Sequence, residues 1–166
     1  MPRLQACIGF PTQSEIANNL SKIHTTQTLW QDGNPPPHRG YSLMVDEIAV
    51  DPWACYDGSR DVILGFPHED TASYNLTNAK EATVAAISAY DRIHYTAIPI
   101  LISGTSKKET EGAQAIWIEL LIDQYYNIFE PNYGPLDSVA SDGDATHRRA
   151  LFCLLMSTCC QTTTLV

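Results

Sequence analysis

The order of apolar segments predicts an α/β domain with a mixed sheet, in which antiparallel strands lead into a helical crossover to a parallel strand. Three observations carry this reading. Residues 41–50 are apolar almost throughout except for two central acids, as in a strand covered on both faces. Residues 98–103 have the same buried character, with Pro99 near the start, where a missing N–H does least harm. A long amphipathic pattern over about 110–129 then precedes a short strand pattern at 136–140. A crossover of this kind brings the strand after the helix back parallel to the first.

The remaining elements follow in chain order. Thr12-Gln13-Ser14-Glu15 has the capping-box spacing, and Ile16, Leu20 and Ile23 share a helical face, which predicts a helix over 13–24. Residues 34–40, including Pro35, Pro36 and Pro37, break regular structure and read as a stiff linker. After the strand at 41–50, Pro52 ends or bends the chain. Segments 53–56 and 61–66 flank the turn signal Asp57-Gly58-Ser59-Arg60 and predict a hairpin. Residues 67–80 are polar and loop-like. Residues 81–90 are ambiguous: their alanines favour helix, while their shortness and Thr83-Val84 suit a strand.

Residues 104–108 form a turn before the amphipathic helix. Its stripe is Ala113, Ile116, Trp117, Leu120, Leu121, Tyr125 and Ile128, with Glu119 and Asp123 opposite. Pro131, Gly134 and Pro135 are its stop signals. Residues 145–156 have helical composition, and the tail from Ser157 has neither period. The domain plan is an N-terminal approach segment with a Pro-rich linker at 1–40, a partial α/β domain at 41–156, and an unstructured tail at 157–166. No internal repeat is visible.

Composition narrows the function classes. The 166 residues suit one domain, and 44% hydrophobic with 17% charged residues fits a globular chain rather than a disordered one. A net charge of −9 disfavours free-standing nucleic-acid binding unless basic residues gather in one place. Lys107–Lys108 and Arg148–Arg149 cluster weakly, and neither pair makes a binding face. The five cysteines (Cys7, Cys55, Cys153, Cys159, Cys160) have no CxxC or zinc-ligand spacing and read as reduced intracellular thiols. With no charged-then-apolar leader and no bilayer-length apolar run, the chain is expected to be intracellular, nuclear or cytoplasmic, and not secreted or membrane-bound. Asn75-Leu76-Thr77 is then a chance sequon. The histidines at 24, 38, 68, 94 and 147 are scattered, and no phosphate loop, nucleophile elbow or Cys–His signature appears.

Two carboxylates carry the chemistry. Asp46 lies within an apolar strand, where a carboxylate is unfavourable unless hydrogen-bonded, paired or bound to a metal. Asp142 follows a short strand and precedes a helix, with Gly143 allowing the sharp turn. If the crossover sets strand 136–140 beside strand 41–50, the two acids come together, and paired carboxylates favour Mg²⁺ or Mn²⁺. Such ions support phosphodiester cleavage by activating water and stabilising the leaving oxygen. The plainer alternative is a solvent-facing acid on an edge strand and an ordinary turn before a helix. Ser141, Asp142 or Asp144 would each serve as a helix N-cap.

Val45-Asp46-Glu47-Ile48-Ala49-Val50, with Tyr56-Asp57 and Ile63-Leu64-Gly65-Phe66, resembles the opening of the catalytic domain of P-element-type DNA transposases. There a strand reading roughly DEM-x-I precedes a hairpin that ends in an apolar strand and a glycine. The stretch from Pro2 to about Leu155 also resembles a group of uncharacterised proteins from mushroom-type fungi. The closest pieces are Ala6-Cys7-Ile8-Gly9-Phe10-Pro11, Glu81-Ala82-Thr83-Val84-Ala85-Ala86, Ile102-Ser103-Gly104-Thr105 with Lys108-Glu109-Thr110, and Ser141-Asp142-Gly143. The resemblance implies an incomplete ribonuclease H-like fold, with Asp46 matching the first metal-binding acid and Asp142 the second. Glu47 and Asp144 are neighbours of the motif acids, without a role in it.

The family also uses an acid on a later helix, far downstream, which a chain stopping at Val166 is expected to lack, together with the family's zinc-ligand DNA-binding module. The expected function is therefore a transposase-derived, truncated nuclease or strand-transferase domain. Its ancestral activity is metal-dependent DNA cleavage and strand transfer, and it is expected not to work as an enzyme alone. DNA is the partner implied by the family. The rival is a non-enzymatic protein-interaction module that uses an open sheet edge.

Overall fold

In the computed structural model, which describes residues 11–27, 40–67, 78–90, 97–105 and 109–161, the strand Tyr41–Ala49 (β1) organises the sheet. Its alternation buries Tyr41, Leu43 and Val45 on one face, as the two-residue period of a strand requires. The hairpin strands Cys55–Asp57 (β2) and Val62–Leu64 (β3) pair antiparallel around the expected turn. Residues Glu81–Ala89 (β4) and Ile98–Thr105 (β5) follow, then the helix Glu111–Gln124 (α2), counting Gln13–Gln27 as α1. A short helix Glu130–Tyr133 (α3), the strand Leu136–Ser141 (β6) and the helix Ala145–Gln161 (α4) complete the order.

The main sheet runs β5-β4-β1-β6. Strand β4 is antiparallel to both β1 and β5, and β6 is parallel to β1. The expected fold class holds: a mixed sheet whose antiparallel strands lead through a helix to a parallel neighbour of the first strand. The ambiguous segment 81–90 is a strand. Pairing on both sides outweighs the helix propensity of its alanines, and Thr83, Ala85 and Ile87 face the core on alternate positions.

Helices α1, α2 and α4 contribute to one core over this face. Ile16, Leu20 and Ile23 of α1 join Leu43, Val45, Ala85 and Ile87 of the sheet, Trp117, Ile118 and Leu121 of α2, and Ala150 of α4. The capping box read from the sequence forms. The Glu15 amide donates to Thr12 Oγ1 at 3.3 Å, and the Thr12 amide donates to Glu15 Oε2 at 3.2 Å. In β5 the register slips opposite Ala85 and Ala86, leaving Ile100 without a strand partner. Its carbonyl accepts instead from the buried Asn19 amide of α1 at 3.0 Å. Gly104 lies where the hairpin arm crosses the sheet. A Cβ there would stand 2.6 Å from the Phe66 carbonyl, so no larger residue fits without a shift.

The crossover helix departs from the sequence reading in two ways. Its buried residues are Gln114, Trp117, Ile118, Leu121 and Gln124, while Ile116 is 61% exposed. The core-facing stripe is thus rotated relative to the apolar one and includes two glutamines. Nor does Pro131 stop the helix. The chain continues through a π-helical turn at Tyr125–Phe129 into α3, where Pro131 occupies the first turn, a position that needs no N–H donor. Tyr125 and Phe129 pack against Tyr41, with Phe129 edge-on at 5.3 Å and Tyr125 at 6.2 Å between centroids.

Helix α4 also runs to Gln161 rather than ending near Met156, because nothing from Ser157 onward supplies a Gly or Pro stop. The linker at 34–39, Lys107–Lys108, Cys7, the sequon at Asn75 and residues 162–166 lie outside the described residues. Among the described residues, no helix is long and apolar enough to cross a membrane.

Candidate functional site

The parallel pairing of β1 with β6 brings the C-terminal ends of both strands to the same end of the sheet. Their last register pair is Val45 with Ser141, so Asp46 and Asp142 each come one residue later, on adjacent strands. That end also receives the N-termini of α2 and α4, because each helix follows a strand that finishes there. In α/β sheets, ligand sites form at this edge, outside the carboxyl ends of parallel strands.

The side chains of the two acids lead to different surroundings. Asp46 is exposed, and its carboxylate accepts from the next amide, that of Glu47, at 2.8 Å. Asp142 accepts from the Asp144 amide at 2.9 Å and lies 3.5 Å from Nδ1 of His147. The Asp144 N–H holds the Asp142 carboxyl below the usual carboxylate range, with His147 assisting and desolvation opposing. Asp144 is the helix cap foreseen among three candidates: its carboxylate accepts from the Thr146 amide at 2.7 Å. That bond likewise holds the Asp144 pKa below its ordinary value.

Two residues to which sequence reasoning gave no role complete the cluster. His147 is 1% exposed, and its ring lies between Asp142 and Glu47, whose Oε1 is 4.0 Å from Nε2. Both separations are at or beyond the outer limit of a hydrogen bond, and neither ring nitrogen makes one. Glu47 follows Leu43 and Val45 at two-residue intervals and therefore belongs to the helix-covered face, while Asp46 belongs to the alternate set. Two sequence signals pointed this way. Glu47 continues the Tyr41-Leu43-Val45 alternation, and His147 shares a helical stripe with Ala150, Leu151 and Leu154, all core-facing.

Across the sheet, Glu47 pairs with Thr83, and Thr83 with Ser103. Thr83 and Ser103 are each 1% exposed, so a polar row crosses three strands on the otherwise apolar face. Above it opens a pocket of about 140 Å³ lined by Glu47, Glu109, Gln114, Asp144 and Thr146. Glu109 is fixed by Trp117, whose Nε1 donates to Glu109 Oε1 at 3.1 Å. The oxygen donors around this end suit a hard cation. Among the described residues, however, no three His, Cys, Asp or Glu side chains converge closely enough to hold a metal ion directly.

No family model matches the chain, and no curated protein matches it. Among solved structures, it is similar to the Drosophila P element transposase strand transfer complex, with a TM-score of 0.47 and 11% sequence identity. That similarity covers 89% of this chain and 36% of the other, so this chain spans about a third of that structure's length.

Proposed function

We propose that the chain is a transposase-derived partial nuclease or strand-transferase domain, in which Asp46 and Asp142 are the acids that hold Mg²⁺ or Mn²⁺. One observation supports the reading above all: both acids directly follow the Val45–Ser141 pair on parallel neighbouring strands. A divalent cation, when bound, supplies Lewis-acid stabilisation of phosphoryl oxygens. The chain's own contribution is orientation, since the Asp144 amide donates to the Asp142 carboxylate and favours its ionised form. Two carboxylates fix an ion incompletely, and positioning supplies most of phosphoryl-transfer catalysis, so these two acids by themselves do not make a catalytic centre. DNA is the partner this ancestry implies, and a net charge of −9 keeps that contact weak. A nuclear or cytoplasmic location and a fungal origin belong to the same reading.

A second reading, a protein-interaction module on the same scaffold, is favoured by the hairpin, where Trp53, Tyr56 and Ile63 are 77%, 62% and 56% exposed. Calorimetric titration with Mn²⁺ separates the two. Asp46→Asn and Asp142→Asn should each weaken binding about tenfold or more. Unchanged isotherms for both variants would contradict the metal reading and leave the interaction module in its place.

A further inference from the structure

We infer that the pocket between β1 and the first turns of α2 and α4 is a site for a hydrated divalent cation, separate from the Asp46–Asp142 pair. Its lining is Glu47, Glu109, Gln114, Asp144 and Thr146, and every one of these side chains offers oxygen. Carboxylates alone would not make a site. The independent observation is Gln114, which is 4% exposed and lines the pocket, yet whose Oε1 has no hydrogen-bond partner. A buried carbonyl oxygen without a donor is unfavourable, and native proteins rarely leave one so. His147, 1% exposed beside Glu47, adds two further ring nitrogens without hydrogen bonds. Thr83, the strand partner of Glu47, leaves its Oγ1 unpartnered as well.

The occupant's class follows from these groups. Two helix N-termini would ordinarily invite an anion, but each is already capped from within the chain, α2 by Thr110 Oγ1 and α4 by the Asp144 carboxylate. The acids then repel any further negative charge. A cation bound directly through three acidic, His or Cys side chains would need them to converge on one point, and no three do so among the described residues. A small hard cation that keeps most of its waters needs one or two carboxylates, and the waters themselves donate to acceptors such as Gln114 Oε1. The pocket's 140 Å³ holds several waters, each occupying roughly 30 Å³ in the liquid. Glu47 and Asp144 are the anchoring carboxylates, and Gln114 receives a water proton.

The test is Mn²⁺ binding to the full chain, followed by loss of the free-ion paramagnetic resonance signal. Asp46→Asn removes the other proposed pair, and one binding site should persist in that variant. Adding Glu47→Gln should then weaken it about tenfold or more, whereas adding Gln114→Glu, which supplies another charge at the same place, should tighten it about tenfold. Thermal melts of each variant show that it is folded before binding is compared. Loss of all binding in Asp46→Asn alone overturns the pocket and leaves the Asp46–Asp142 reading standing. Indifference of the residual site to both added substitutions also overturns it. So does a pocket that takes guanidinium or spermidine but no Mn²⁺.

Discussion

Asn19 shows how one polar side chain can repair a local irregularity. The slip in β5 leaves the Ile100 carbonyl without a strand partner, and Asn19 reaches it from α1 while 3% exposed itself. Removing the donor leaves a buried acceptor unmet, so Asn19→Ala should destabilise the fold by about 1–3 kcal/mol. Denaturant unfolding checks this, and an unchanged midpoint would contradict it. At this scale the sequence was partly legible. Asp46 and Asp142 stood out as acids beside apolar runs, and both directly follow the last pair of the parallel β1–β6 register. Glu47 and His147 were passed over because a motif draws attention to its own letters. The two-residue period of β1 and the helical stripe of α4 mark the same two residues without any motif.

Among the elements, patterns that depend on local chemistry were the readable ones. The capping box of α1, the hairpin turn and the buried strands at 41–50 and 98–103 all form close to their expected bounds. Two features were not settled by local pattern, because tertiary contacts decide them. Strand β4 is alanine-rich and becomes a strand through pairing on both edges. Helix α2 turns Gln114 rather than Ile116 inward, on the same face that buries Trp117, Ile118 and Leu121, and Gln114 there lines the pocket beside Glu47. For α4, the cap makes a pH-dependent prediction. The Asp144 carboxyl is held below its ordinary pKa, first by the Thr146 amide, so its contribution is present above the unfolded carboxylate pKa. That contribution is lost as pH falls through the lowered folded value. Asp144→Ala should therefore melt at a lower temperature than the unaltered chain near neutrality, and the difference should vanish in acid. A difference that persists unchanged in acid would contradict the cap's role.

Across the whole molecule, the strand directions explain why chemistry gathers at one end. The crossover through α2 sets β6 parallel to β1, and so the ends of both strands and the starts of α2 and α4 share one edge. This arrangement was legible from the order of apolar segments, since a helix between two strands leaves few alternatives. What the order could not give was the face on which each side chain lies, because one residue of register exchanges the two sides of a strand. Asp46 and Asp142 are therefore neighbours by strand, while Glu47 and Asp142 are neighbours through His147. The central claim is that a divalent cation binds at this shared end. Backbone amide resonances recorded during a Mn²⁺ titration test it most directly. Selective broadening of residues 46–47 together with 141–144, weakened by Asp142→Asn, is the expected result. Broadening confined to other parts of the chain, or absent at millimolar Mn²⁺, would contradict it.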